Sequence, residues 1–282
     1  MAHEHDVPYE NNPFYIGLNG LKSLFVRAQS VAIYAVVLSV AYFLINGIAN
    51  IIDIANSTTM NESQVRMRDD RDAKVVADFF AQDPGRIAVA GVIGASAVFL
   101  FIVVVMWLYG ALEYTGARLA KGETVELKTA LKETGKELAS YIWLYVVVTV
   151  KLILWTLLFI VPGFIMAVRY SLAGTVFFAE GKRGNAAVKR SAELTKGAWF
   201  TTYSGIQLWN IITLGVMQWV LQPGVNAVLY SQLSKVTDAG HTKPAAHWLS
   251  WLTFFVPLVL FLIFVVPIML LIIVFSTGSF GP

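Results

Sequence analysis

The chain has 282 residues, 57% hydrophobic and 14% charged, with a mean hydropathy of +0.65. A soluble domain is nearer ~45–50% apolar and about 25% charged, so the composition excludes an ordinary soluble domain and points to a membrane protein with several spans. The net charge of +3 is too small to argue for nucleic acid, and the absence of cysteine excludes disulfides, thiolate metal sites, cysteine nucleophiles and S-acylation.

Residues 1–28 are polar at first, then weakly amphipathic, and lack the positive start of a signal peptide. They are expected as a cytoplasmic segment, and the apolar run behind them as a retained transmembrane helix. Six apolar runs follow, at 29–53, 87–112, 141–161, 164–180, 199–221 and 248–275. The fourth is short for a span, and re-entry is the alternative. The expected fold is all-α: a polytopic membrane domain over 29–275, with six transmembrane helices in three hairpins. Residues 54–86 and 222–247 are expected as outer loops, 113–140 and 181–198 as inner loops, and 276–282 as a short cytoplasmic tail. In the first outer loop, VVADFFAQ (75–82) is expected as a short helix on the membrane.

Lysine and arginine in the connections set the orientation. Twelve lie on the expected inner side and seven on the outer, which places both termini in the cytoplasm. Each outward-going helix follows a short amphipathic segment, at 17–30, 126–139 and 184–197. Each expected outer turn carries Pro-Gly: Pro84-Gly85, Pro162-Gly163 and Pro223-Gly224. This suggests a unit repeated three times.

Lys151 and Arg169 are cations inside the third and fourth runs, and the only carboxylates nearby are at run ends: Asp53, Glu113 and Glu180. A charge at the bilayer centre costs about 2.5–3.5 kcal/mol on insertion scales. Two cations without a built-in counter-ion invite an anion, such as a phospholipid headgroup. The backbone N–H groups near Gly163 would help at the start of the fourth helix. The alternative is that both side chains snorkel. The segment holding Lys182, Arg183, Lys189, Arg190 and Lys196 reads as a basic cytoplasmic surface for anionic headgroups or a protein partner. Ser204, Gln207, Asn210 and Gln218 make a polar stripe on the fifth run, for interhelical hydrogen bonds or a polar pathway. The small residues of 88–97 read as a packing surface. Pro257 and Pro267 should kink or break the last helix. His3 and His5 read as part of a polar tail rather than a metal site, and no cofactor or metal is expected.

Residues 161–197 carry Pro162, Gly163, Arg169, Tyr170, Glu180, Ala187, Lys189, Ser191, Leu194, Thr195, Lys196 and Gly197, with Trp199 beyond. The pattern resembles that of bacterial integral membrane proteins related to the membrane domain of glycerophosphodiester phosphodiesterases, including stand-alone relatives. The resemblance implies six membrane helices and a bacterial inner membrane, and it implies no activity. The soluble catalytic barrel of the phosphodiesterase-linked members is not expected here, because the four histidines lie in the N-terminal tail and one loop. The expected function is a non-enzymatic one, binding or organising anionic lipid or envelope components. A small transporter or flippase is the alternative, and an intramembrane enzyme is the third.

Overall fold

A computed structural model describes residues 9–59, 67, 70, 71, 73–75, 77 and 84–276. The expected helix over 75–82, the tail at 277–282 and both His3 and His5 fall wholly or mostly outside these residues. The described chain is helical, with no strand. Its helices are α1 (Pro13–Arg27), α2 (Gln29–Thr59), α3 (Pro84–Ala120), α4 (Leu127–Leu158), α5 (Ile160–Tyr170), α6 (Ala173–Glu180), α7 (Gly184–Thr195), α8 (Trp199–Ile212), α9 (Gln218–Asp238), α10 (Trp248–Leu260) and α11 (Val266–Ser276).

Five stretches are long and apolar enough to cross a membrane: Gln29–Ile52, Ile87–Ala120, Leu127–Leu158, Ile160–Glu180 and Trp248–Leu271. The 199–221 run is not among them. It breaks after Ile212, where Leu214 takes φ 51° and Gly215 φ 77°. A left-handed leucine and glycine in succession end a helix, because the backbone turns away from the i to i−4 ladder. The chain then reverses into α9, so residues 222–238 are helix rather than outer loop.

The ends of this helical hairpin lie on one side of the molecule. Asp238, at the end of α9, pairs with Arg190 of α7, close to where α8 begins. Glu10 and Gln232 exchange two 3.1 Å hydrogen bonds, from Glu10 N–H to Gln232 Oε1 and from Gln232 Nε2 to Glu10 O. Asn11 Nδ2 donates to Ala245 O at 2.9 Å, and Lys243 Nζ donates to Leu194 O at 2.5 Å and Lys196 O at 2.6 Å. The segment 239–247, expected on the outer side, therefore lies against the N-terminal segment and α7. With 14 residues, α8 reaches about 21 Å at ~1.5 Å per residue, short of a ~30 Å hydrocarbon core.

The Pro-Gly pairs take up different roles for steric reasons. Pro84 opens α3, where its missing N–H costs nothing. The α4–α5 break falls on Phe159 (φ −163°, ψ 148°), and Pro162 sits in the first turn of α5. Pro223 lies inside α9, and Gly224 packs directly on α1. A Cβ on Gly224 would stand 2.2 Å from the Gly20 carbonyl oxygen. Since the obstacle is backbone, Gly224→Ala is expected to destabilise the protein by about 2–3 kcal/mol, read as a fall in the thermal midpoint of the detergent-solubilised chain.

α9 is the centre of the fold. Twelve of its residues are buried, against α1, α3 and α8. The buried core gathers at this end of the spans, with Tyr141 and Leu144 of α4, Leu172 and Val176 around α6, and Ala187, Val188 and Leu194 of α7. The far halves of α2 and α3 and most of α10 and α11 expose aliphatic and aromatic side chains, as a lipid-facing surface does. Gly91 and Gly94, expected in packing, have no atom within 4 Å of a built Cβ among the described residues. Between α10 and α11 the helix widens into a π turn at Phe261–Val265, just ahead of Pro267, whose ring and missing N–H disrupt the preceding turn.

Candidate functional site

The stretch 161–197 acts mainly as a clasp. Ser191 Oγ donates to the Arg169 carbonyl at 2.7 Å and accepts from Leu172 N–H at 3.2 Å, which satisfies the backbone where α5 passes into α6. Trp199 Nε1 donates to Ile165 O at 3.1 Å, and Gly197 supplies φ 80° before α8. Gly163 lets α5 approach α4, since a Cβ there would meet Thr156 Oγ1 at 2.4 Å. Gly163 thus has a packing role in the hairpin.

Lys151 and Arg169 are both half-buried. They lie eight residues before and ten after Phe159, about 12 and 15 Å along their helices. Arg169 Nε is buried without a hydrogen bond. Neither cation lines the two cavities described below. In the basic segment, Lys182 pairs with Glu180, Arg183 with Glu137, and Arg190 with Glu180, Glu193 and Asp238. Lys189 and Lys196 are exposed and make no ion pair among the described residues, so two of the five cations remain free for a headgroup.

The polar stripe does converge. A cavity of about 370 Å³ lies between α3 and the tip of the α8–α9 hairpin. Gln207 and Asn210 of α8, Gln218 and Gln222 of α9 and Tyr109 of α3 supply its polar wall; Met106, Ile206, Trp219, Leu221 and Val225 supply the rest. No cation lines it. Ser204 instead bonds Ser250 of α10, Oγ to Oγ at 2.8 Å. The hairpin tip holds its own shape. Thr213 Oγ1 donates to Trp209 O, and Gly215 N–H donates to Asn210 O, both at 2.7 Å. The Asn210 side-chain oxygen is buried without a donor. Gln207 and Gln218 make no side-chain hydrogen bond among the described residues.

Behind this wall lies Glu113, 1% exposed. Its carboxylate accepts from Thr175 Oγ1 at 2.8 Å, Tyr109 Oη at 3.2 Å, and Gln222 Nε2 and Asn226 Nδ2 at 3.3 Å each. Gln222 Nε2 also donates to Tyr109 Oη. An ionised carboxylate only accepts, and four donors on three helices suit that form. Sequence reasoning placed Glu113 at a run end and missed this cluster. The available signal was Gln218, Gln222 and Asn226, spaced by four along one face of α9.

A second cavity, about 210 Å³, lies on the other side of Tyr109 and Trp219. Its remaining walls are Leu38, Ala41, Tyr42 and Ile45 of α2 with Val105 and Leu108 of α3. Tyr42 and Ile45 are 55% and 69% exposed, so this cavity opens sideways on the apolar face. The rings of Tyr109 and Trp219 meet edge to face at 5.7 Å and border both cavities.

The chain is thus an all-α protein with the long apolar helices of a multi-pass membrane protein and a polar cavity at the tip of a short helical hairpin. Comparison with models of known families, with curated proteins and with solved structures finds no match.

Proposed function

We propose that this protein is a non-enzymatic integral membrane protein that holds an amphiphilic molecule from the surrounding bilayer. One observation carries the reading: a polar cavity and a laterally open apolar cavity share the Tyr109–Trp219 wall. A lipid could place its headgroup in the first and part of a chain in the second. The polar wall offers amides and a phenol rather than a nucleophile beside a base.

Orientation follows the positive-inside rule, with the N-terminal segment, α7 and 239–247 on the cytoplasmic side. Moving Lys235 and Lys243 to that side changes twelve against seven into fourteen against five. The α8–α9 hairpin then re-enters, five crossings remain, and α11 ends on the outer side. This departs from the six-span, three-hairpin expectation, because a hairpin 14 residues deep on its first arm cannot cross. The resemblance of 161–197 to the phosphodiesterase membrane-domain group supports a bacterial cytoplasmic membrane. Exposed Lys22, Arg27, Lys128, Lys132, Lys189 and Lys196 give the inner side cations for an anionic leaflet or a protein partner. The re-entrant hairpin also favours a second reading, a small flippase for the same amphiphile.

Native mass spectrometry on the purified chain tests the binding reading. Ala41→Trp fills the apolar cavity and is expected to cut retained phospholipid at least fivefold while leaving the helical circular dichroism unchanged. Retention equal to wild type overturns the lateral site. In the same experiment, Lys151→Ala and Arg169→Ala decide the separate anion site: unchanged retention of anionic lipid in both removes it.

A further inference from the structure

Among the described residues, no lysine, arginine, histidine, aspartate or glutamate lines the polar cavity. Glu113 behind the wall is taken up by four donors and has nothing left for a ligand. The Tyr109 hydroxyl is spent as well, donating to Glu113 and accepting from Gln222 Nε2. The polar groups that stay open are neutral. Gln218 is exposed, and Gln207 is half-buried with neither carboxamide atom sealed from the surface. Gln222 commits its Nε2 but keeps Oε1 open. Gln207 and Gln218 stand on opposite arms of the hairpin, at a tip about 21 Å from the start of α8 at ~1.5 Å per residue. At that depth in the re-entrant arrangement, a phosphate would lie at low dielectric with no cation to pair it and with the Glu113 charge nearby. A hydroxyl carries no charge, and it donates and accepts as a carboxamide does.

Resting on the lateral amphiphile site, we propose that the polar cavity selects an uncharged, hydroxyl-bearing headgroup, the chemistry of a glycosyl diacylglycerol, over any headgroup that carries a phosphate. Gln207 and Gln218 hold hydroxyls from the two arms of the hairpin, and Gln222 Oε1 accepts from another. Trp219 supplies apolar contact for the carbon-bound hydrogens of a sugar ring. Diacylglycerol shares the chemistry with a single hydroxyl. The cavity, at about 370 Å³, has room for more than that, which favours the sugar.

The test is competition on the full chain in detergent, read by native mass spectrometry. Equimolar monoglucosyl diacylglycerol, diacylglycerol, phosphatidylglycerol and phosphatidylethanolamine of identical chains are offered. Phosphatidylglycerol separates hydroxyls from charge, because it carries both. The wild type is expected to retain the glucosyl lipid about tenfold over either phospholipid. Diacylglycerol retained above the glucosyl lipid, with both above the phospholipids, supports the uncharged selection and names the single hydroxyl as its source. The double variant Gln207→Leu, Gln218→Leu is expected to bring the glucosyl lipid within about twofold of the phospholipids. Gln218→Lys is expected to move the preference toward phosphatidylglycerol. Neither glutamine makes a side-chain hydrogen bond among the described residues, so these variants leave the Glu113 cluster intact. Wild type that retains either phospholipid as well as the glucosyl lipid and diacylglycerol, with all of them lost in Ala41→Trp, overturns the selection and leaves the lateral site standing. Retention that is unmoved by Ala41→Trp removes the lateral site, and the selection with it. A glucosyl preference that survives in the double variant also overturns the assignment.

Discussion

Replacing Glu113 with leucine is expected to cost the protein about 4–6 kcal/mol. The reason lies in the donors. Thr175, Tyr109, Gln222 and Asn226 point at one carboxylate that is 1% exposed. Leucine leaves their protons without an acceptor, and each buried orphan costs about 1–3 kcal/mol. Thr175 and Tyr109 can rotate toward each other or toward backbone carbonyls, which limits the sum. The two amides sit one helical turn apart on α9 and have less freedom. Glu113→Gln keeps the volume and one carbonyl oxygen but turns the other oxygen into a donor facing donors, so about half the loss is expected. A small cavity gap is no substitute explanation, because leucine is close to glutamate in size. Thermal unfolding of detergent-solubilised protein, followed by tryptophan fluorescence, checks the order: wild type above Glu113→Gln above Glu113→Leu. An unchanged midpoint for the leucine variant would mean that the carboxylate is not held as described.

That cluster also marks where the sequence stopped being informative. Long apolar runs are legible because lipid demands a continuous apolar surface, and α2, α3, α4 and the 248–271 stretch follow from it. The 199–221 run has the same mean character, yet it is covered largely by protein. Hydropathy cannot separate a helix buried in lipid from one buried, as α8 is, against α1, α9 and α10. The hints were local: Leu214-Gly215 can turn, and Asn210 and Gln218 would face each other across such a turn. Pro223-Gly224 looks like a turn in one dimension and works as a contact in three, because its value lies in Gly20 on another helix. Glu113 was discounted for standing near the end of a run. Its burial comes from α6 and α9, which arrive from 62 and more than 100 residues away along the chain. The stripe of Gln207, Asn210 and Gln218 was visible as a pattern. Its convergence on Tyr109 needed the hairpin to close.

The second large effect is expected at Arg190, and it concerns how the hairpin is tied down. Arg190 is 11% exposed at its side chain and reaches Asp238 at 2.5 Å, Glu180 at 3.0 Å and Glu193 at 3.1 Å. Tyr230 Oη adds a 3.1 Å bond to Glu180. One guanidinium therefore joins α6, α7 and the end of α9. Desolvation pulls its pKa down, but hydrogen bonds to the three carboxylates outweigh that and hold it above the ordinary arginine value. Asp238 and Glu193 are well exposed, so their pairs contribute little individually; the partly buried link to Glu180 matters most. Arg190→Ala leaves Glu180 with Lys182 and the Tyr230 hydroxyl and is expected to cost about 2–4 kcal/mol. Arg190→Lys should recover less than half of that, since an ammonium on a flexible stem cannot hold three carboxylates in a fixed plane. The consequence extends beyond stability. With the far end of α9 released from α7, that end is held by the paired hydrogen bonds of Gln232 with Glu10 and by Tyr230 on Glu180, while the rest of α9 stays packed on α1 and α3. Amide hydrogen exchange at the end of α9, over 232–238, is therefore expected to rise in Arg190→Ala before exchange rises in α3 or α4. Uniform exchange across all helices would instead mean that the clasp and the hairpin unfold only together with the whole protein.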